Sequence, residues 1–427
     1  MLCDNIRMNE TSGPVISRLR CEALDALDPL RDHRARFDLP ARTIYLDGNS
    51  LGALPKTTAS RVDALVREQW GLGLIRSWNK HAWISLPQRV GGKIARLLGA
   101  GEDEVIVADS TSVNIFKLLA GALALPDVAD RRVILSERGN FPTDLYIAEG
   151  FNALLGGKYT LKLVDPCEVE GALDADVAVA LITQVDYCTG ALHGMARLNE
   201  HAKKAGTRII WDLSHSAGAV PLELNAQGAE LAVGCGYKYL NGGPGAPAFV
   251  YVAKALQAGF MTPLSGWFGH IAPFAFSDHF TPANGIERML CGTPSVIATA
   301  ALECGIDSFE NASMESIRKK SLALSELFRT LVVQECADFG FTCVTPIAPD
   351  KRGSQLSFAH EHAYAIMQAI IDRNVIGDFR QPNLMRFGFT PLYVSFCDCW
   401  DAVAVLRDVM LNSTWKQDKY HHRNSVT

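Results

Sequence analysis

From residue 105 onward the chain alternates between short runs that are apolar at nearly every position and longer segments with helical spacing. Residues 105–107, 132–135, 177–183, 208–212 and 248–252 are runs of the first kind. A strand without a polar face is buried on both sides, so the pattern predicts a mostly parallel sheet covered by helices. Residues 113–125, stopped by Pro126, read as an apolar helix, and Val62, Leu65, Val66 and Trp70 give residues 57–70 a single apolar face. Upstream, residues 44–46 form a short strand-like run ended by the turn-former Asp47-Gly48-Asn49.

The pattern changes after about residue 310. Ile317, Leu324, Leu327, Phe328 and Leu331 predict a long amphipathic helix over 315–335. Shorter strands and one more helix are expected after it, then a polar tail (KQDKYHHRNSVT) that should fray. The organisation expected is α/β. A polar N-terminal arm (1–43) precedes a large domain (44–310) and a smaller α+β domain (311–427), against which the arm packs.

Composition narrows the function. With 427 residues, 48% of them hydrophobic and 20% charged, the chain is long enough for more than one core and is not disordered. A net charge of −5 offers no basic excess for a phosphate backbone, which argues against a nucleic-acid binder. No apolar stretch is long and uninterrupted enough for a bilayer, and charges occupy the place of a signal peptide's core. Eleven cysteines without a CxxC pair fit free thiols in a reducing compartment, so a cytoplasmic protein with no metal site is expected. The 35 glycines fall in clusters, which suggests backbone brought close to a ligand.

Three segments concentrate the chemistry: TQVDYCTG (183–190), IIWDLSHSAGAVPLEL (209–224) and LAVGCGYKYLNGGPGAP (231–247). Asp212 ends an apolar strand, His215 follows, and Lys238 sits between Tyr237 and Tyr239 in a glycine-rich loop. Pyridoxal 5′-phosphate would give each a reason: its aldehyde forms a Schiff base with a lysine, and its pyridinium needs a carboxylate partner. The Asp109-Ser-Thr-Ser112 stretch ahead of a helix suits a phosphate, although the same hydroxyls could serve as a plain cap. Singly, a strand-end Asp is usually a cap and a loop Lys is usually solvated; in this order and setting the cofactor reading is the better one. Competing motifs are weaker. Gly48-Asn-Ser50-Leu-Gly52 matches GxSxG but leads into Ala-Leu-Pro rather than a helix, and His360-Glu-His362 lacks metal-ligand spacing.

The strings YLDGNSLG (45–52), FPTD (141–144), DLSHSAG (212–218), GYKYLNGGPGAP (236–247), GWFGH (266–270) and CGT (291–293) resemble the kynureninases. These are homodimeric pyridoxal-phosphate enzymes of fold type I, the aspartate-aminotransferase fold. The resemblance implies that Lys238 is the Schiff-base lysine and Asp212 the pyridinium partner. Phe141 would stack on the ring with Pro142, Thr143 and Asp144 beside it. Thr111, Ser112, Thr183, His215 and Tyr237 would surround ring and phosphate, and Tyr237 would shuttle protons. Trp267 and Thr293 would reach the phosphate from the neighbouring subunit. Arg386 would clamp the substrate carboxylate, a task suited to a two-pronged guanidinium. Asn49, Trp78 and Trp83 are further substrate-binding candidates, the tryptophans for the aniline ring. The implied reaction is hydrolysis of L-kynurenine to anthranilate and L-alanine in tryptophan catabolism, and Gly292-Thr293 resembles the bacterial, kynurenine-preferring members. The alternatives are a cysteine desulfurase or selenocysteine lyase of the same fold type, or a non-catalytic cofactor-binding protein.

Overall fold

The computed structural model describes residues 16–423; the start of the predicted arm and the last four residues of the tail lie outside them. Thirteen strands occur among the described residues. They are β1 (Ile44–Tyr45), β2 (Val105–Val107), β3 (Val133–Glu137), β4 (Thr160–Val164), β5 (Val177–Thr183), β6 (Arg208–Asp212), β7 (Leu231–Gly234), β8 (Phe249–Val252), β9 (Thr342–Cys343), β10 (Gln355–Ala359), β11 (Val375–Ile376), β12 (Asp378–Arg380) and β13 (Leu384–Gly388).

β2 to β8 form one sheet in the order β2-β8-β7-β6-β5-β3-β4, with β8 the antiparallel member. Apart from the edge strand β4, its strands are buried on both faces, as their largely apolar character requires. Ile209 and Trp211 of β6 enter one core, while Ile210 enters the other. Helices cover the sheet, among them Thr111–Leu123, Pro142–Leu154 and Met195–Ala205. Because β3, β5, β6 and β7 run parallel, their carboxyl ends open on one edge, where ligands of such sheets are placed.

β12-β13-β10-β9 make a separate antiparallel sheet backed by the long helix Met314–Cys336. Two α-helices follow that long helix, Ala363–Ile371 and Phe396–Leu411, where one was expected. The second was hidden in a mixed stretch (FCDCWDAVAVLRDVML) that Ser395 and Asp398 open with a reciprocal capping box. Residues 44–45 do not join the large sheet: β1 pairs in parallel with β11, and Leu46 O accepts from Gly388 N–H. The N-terminal helix Arg18–Leu27 docks on the C-terminal helix, where Asp25 accepts from Phe396 and Cys397 N–H at 2.7 and 3.0 Å.

Two expectations fail for identifiable reasons. The tail is held in place as far as residue 423: Trp415 and Tyr420 are buried, and Tyr420 Oη donates to Asp372 at 2.9 Å. The helix over 57–70 changes winding at Leu65, where Lys56–Ala64 gives way to a wider π-helical segment, Leu65–Leu72. That change takes Trp70 off the apolar face predicted from α-helical spacing, and Trp70 is 57% exposed while Leu65 is buried.

Candidate active site

The residues converge on the carboxyl ends of the parallel strands. Thr183 ends β5 and Asp212 ends β6, directly opposite each other in the ladder. The turn after β6 carries His215, and the loop after β7 carries Tyr237 and Lys238. Lys238 Nζ donates to His215 Nε2 at 2.9 Å and stands 5.6 Å from the centre of the Phe141 ring and 5.7 Å from that of Tyr237. This loop is braced by the turn that follows β1. Gly52 N–H donates to Tyr237 O, and a Cβ at Gly52 would lie 2.4 Å from Lys238 O, so only glycine allows the approach.

Phe141 caps the helix that begins with Pro142, Thr143 and Asp144. Asn140, not singled out from the sequence, locks this corner: its Oδ1 accepts from Phe141 N–H at 2.7 Å and from Thr183 Oγ1 at 2.5 Å. Its place directly before FPTD was the available signal. Asp144 is fully buried, with Thr183 Oγ1 3.4 Å from its Oδ2 and no partner on Oδ1. Burial, then the charge of Asp212, pushes the Asp144 carboxyl well above its ordinary range. Burial also raises Asp212, against the bond that its Oδ1 accepts from Ser214 N–H at 2.8 Å. Burial and the Lys238 charge drive His215 far below its ordinary value, so its imidazole is neutral and accepts from the lysine. Burial keeps the Tyr237 hydroxyl protonated, as does the neighbouring Cys235.

These groups fit pyridoxal phosphate. Two buried carboxyls, one with an unpartnered oxygen, suit a protonated ring nitrogen. At the other end, Ser110 caps the helix Thr111–Leu123 by accepting from Val113 N–H, with Thr111 and Ser112 half-buried in the first turn. A cleft of about 520 Å³ opens there, lined by Asp109, Ser110, Tyr237, Gly292 and Thr293 among others. A phosphate matches the free N–H groups and dipole of that helix start. Lys117, fully buried, was also missed; it pairs with Asp109 and donates to Met289 O at 2.6 Å, tying the helix start to the segment that leads to Thr293.

Not every candidate joins this group. Trp267 is half-exposed and packs on Phe268, Phe274 and Phe276, with its Nε1 donating to Pro273 O. Its segment is tied to the one carrying Thr293, since Phe268 N–H donates to Cys291 O at 3.1 Å. Trp78 and Trp83 meet edge to face at 5.8 Å, and Trp83 Nε1 donates to Gln69 Oε1 at 2.9 Å. Within one chain Trp83 is separated from the cleft by Pro294 and Ser295, which line both the cleft and the hollow beside Trp83.

Arg386 is buried on β13, and one edge of its guanidinium is paired within the chain. Its Nε and Nη2 edge is taken by Asp378, with Nε donating to Oδ1 at 2.6 Å. Asn49 is fully buried with both amide atoms unpartnered, wedged against Gly388, where a Cβ would lie 1.9 Å from its Oδ1. Its amide therefore has unused hydrogen-bonding capacity.

Asp47 precedes Asn49 in the same turn. Burial, reinforced by Asp378, pushes its carboxyl up from 3.8 to about 7, against Ser50, Arg386 and Arg380. A folded-state value above the unfolded one means that this carboxyl costs stability as pH rises from 3.8 towards 7 and no further beyond it. In melting curves of the holoenzyme, Asp47→Asn is expected to gain on the parent across that interval and to keep a constant difference above it. A difference that stayed flat from acid to neutral pH would refute the burial argument.

A lysine set between aromatic rings at the strand ends, with buried carboxyls below and a helix start beyond, defines a pyridoxal-phosphate-dependent enzyme of fold type I. The fold is that of solved enzymes from which the sequence has diverged. A cysteine desulfurase from Thermococcus onnurineus matches 89% of this chain and 98% of its own at 18% identity, TM-score 0.73. One from Escherichia coli matches 90% and 98% at 17% identity, also TM-score 0.73. Sequence relatives lie far nearer. The kynureninase of Burkholderia mallei is 52% identical over 408 residues, 95% of this chain and 98% of its own. That of Pseudomonas fluorescens is 51% identical over 414 residues, 96% and 100%. Residues 317–406 match the family model of the kynureninase C-terminal domain. The chain belongs to the kynureninase family, and no helix among the described residues is long and apolar enough to cross a membrane.

Proposed function

We propose that this enzyme hydrolyses L-kynurenine to anthranilate and L-alanine in the cytoplasm, as a step of tryptophan catabolism. The observation that carries the reading is the Lys238–His215 contact under Phe141, beside the buried Asp144 and Asp212, in a chain about half identical to kynureninases. When bound, the cofactor supplies a sink for negative charge at the substrate Cα. Asp212, supported by Asp144, holds the proton on the ring nitrogen. Phe141 covers the ring, with Pro142 and Thr143 fixing its helix and Thr183 beside it. Thr111 and Ser112 hold the phosphate. Lys238 Nζ would hold the cofactor and, when free, would take the Cα proton; neutral His215 would leave it able to do so. The Tyr237 hydroxyl, kept protonated by burial, donates a proton within the same cleft. Asn49 and Arg386 receive the substrate carboxylate.

The working form is a homodimer with shared sites. Val66, Trp70, Leu72, Leu74 and Ile75, with Ile271, Phe274 and Phe276, leave a large apolar surface on the single chain, which favours burial against a second copy. In that assembly Trp267 and Thr293 serve the partner's phosphate, and Trp78 and Trp83 line the aniline-ring pocket. Residues 44–310 act as the cofactor domain and 311–427 as the small domain with the N-terminal arm against it. Gly292 and Thr293 favour kynurenine over its 3-hydroxy derivative. The test is product formation: with kynurenine, anthranilate fluorescence should rise, and more slowly with 3-hydroxykynurenine the matching product should form. Sulfide release from cysteine without anthranilate from kynurenine would replace this reading with a desulfurase.

A further inference from the structure

Arg386 does not stand alone at the end of the small sheet. β12 and β13 are antiparallel, and their register sets Asp378 directly opposite Arg386. Side chains so paired lie on one face within reach of each other. Asp378 Oδ1 and Oδ2 accept from Arg386 Nε and Nη2, a fork-to-fork pair between two side chains that are both buried. Ser50 bridges the two: it donates to Asp378 Oδ2 at 3.0 Å and accepts from Arg386 Nη2 at 3.1 Å. Arg386 Nη1 donates to Tyr187 O. On its outer side Asp378 Oδ2 meets Arg380 Nη2 at 2.8 Å.

The bonds to Asp378, Ser50 and Tyr187 engage every N–H of the guanidinium except one on Nη1. A guanidinium held along its Nε edge cannot turn about its last side-chain bond. The charges also matter: the carboxylate of Asp378 is shared between Arg386 and Arg380, so the group keeps positive charge for an incoming anion. Asp47 faces the same group from the preceding turn.

We infer that Asp378, with Ser50, is a positioning residue that fixes the plane of Arg386 so that its Nη1 side meets the substrate carboxylate. This rests on the proposed role of Arg386 and adds how that residue is aimed. An arginine without this brace would still attract the carboxylate but would hold it in several orientations, and much of the advantage of a fixed geometry would be lost.

The experiment is a double-mutant cycle on the holoenzyme with kynurenine as substrate, using Asp378→Asn, Arg386→Lys and the combination. Asp378→Asn is expected to keep the cofactor's visible absorbance and to lower kcat/KM about tenfold or more, mainly through KM. In the Arg386→Lys background the same change should add less than about a twofold loss, because its target is already gone. Ser50→Ala, which cannot disturb the buried ion pair's charge, should raise KM by a smaller factor in the same direction. Losses that multiply in the double variant would show that Asp378 is merely structural, and unchanged kinetics in Asp378→Asn and Ser50→Ala would overturn the inference directly. Normal kynurenine saturation in Arg386→Lys would instead remove the carboxylate role of Arg386, and the aiming role with it.

Discussion

Lys238→Ala is expected to abolish kynurenine cleavage and, with it, the visible absorbance of the lysine-bound cofactor. Removing a group that both anchors a cofactor and moves the reacting proton costs about 10⁴-fold or more in rate. The fold should survive, because the loop is held through its backbone: Gly52 N–H donates to Tyr237 O and Asn241 N–H donates to Lys238 O. The loss is therefore readable as chemistry, with a melting temperature near that of the parent as the control. Cofactor should still bind weakly without the covalent bond, since Asp212, Phe141 and the helix start at Thr111 are untouched. A variant that cleaved kynurenine within about tenfold of the parent rate would end the assignment of Lys238.

Much of this site was legible because its chemistry shaped the sequence locally. Asp212 ends an apolar run, and Lys238 sits in a glycine cluster where the Gly52 turn must approach its backbone. The strands β2, β3, β5, β6 and β8 were legible because burial on both faces leaves no polar position to break the run. β4 was not, since it is the edge of the sheet, partly exposed, with Lys162 in its middle. β7 was not either: four residues, one alanine and one glycine among them, carry little strand signal away from their neighbours. Helix winding was a different failure. Val62, Leu65, Val66 and Trp70 share a face only in an α-helix, and the π-helical segment from Leu65 has another period.

The groups that were missed act on other residues rather than on a ligand. Asn140 and Lys117 are bound to partners distant in sequence, Thr183 and Met289, and only the place of Asn140 directly before FPTD hinted at it. Asp378 is the exception. It and Arg386 are equally placed about a short hairpin, and opposite charges at such spacing can be recognised as a cross-strand pair. The pairing of the Nε and Nη2 edge of Arg386 was passed over together with Asp378, the residue that takes up that edge.

Asp212→Asn should have the second-largest effect, and of a different kind. Asparagine keeps the shape and can still accept from Ser214 N–H through its oxygen, so folding and the Lys238–His215 contact should be little changed. What disappears is the charge that holds a proton on the ring nitrogen. Asp144 is a poor substitute, because burial pushes that carboxyl well above its ordinary range and so disfavours its charged form. Asparagine also relieves Asp144, whose proton affinity is raised in part by the Asp212 charge, so the Asp144 carboxyl should ionise more readily in the variant. The expected result is a protein that binds the cofactor through Lys238 with a shifted absorbance and loses about a thousandfold in kcat, as for other buried groups that stabilise developing charge. KM for kynurenine should change little, since Arg386 is paired with Asp378 and not with Asp212. Asp144→Asn should do less harm, because burial disfavours the charged form of the group it removes. If Asp144→Asn proved the more damaging of the two, the proton-holding role would belong to Asp144, and Asp212 would be its support.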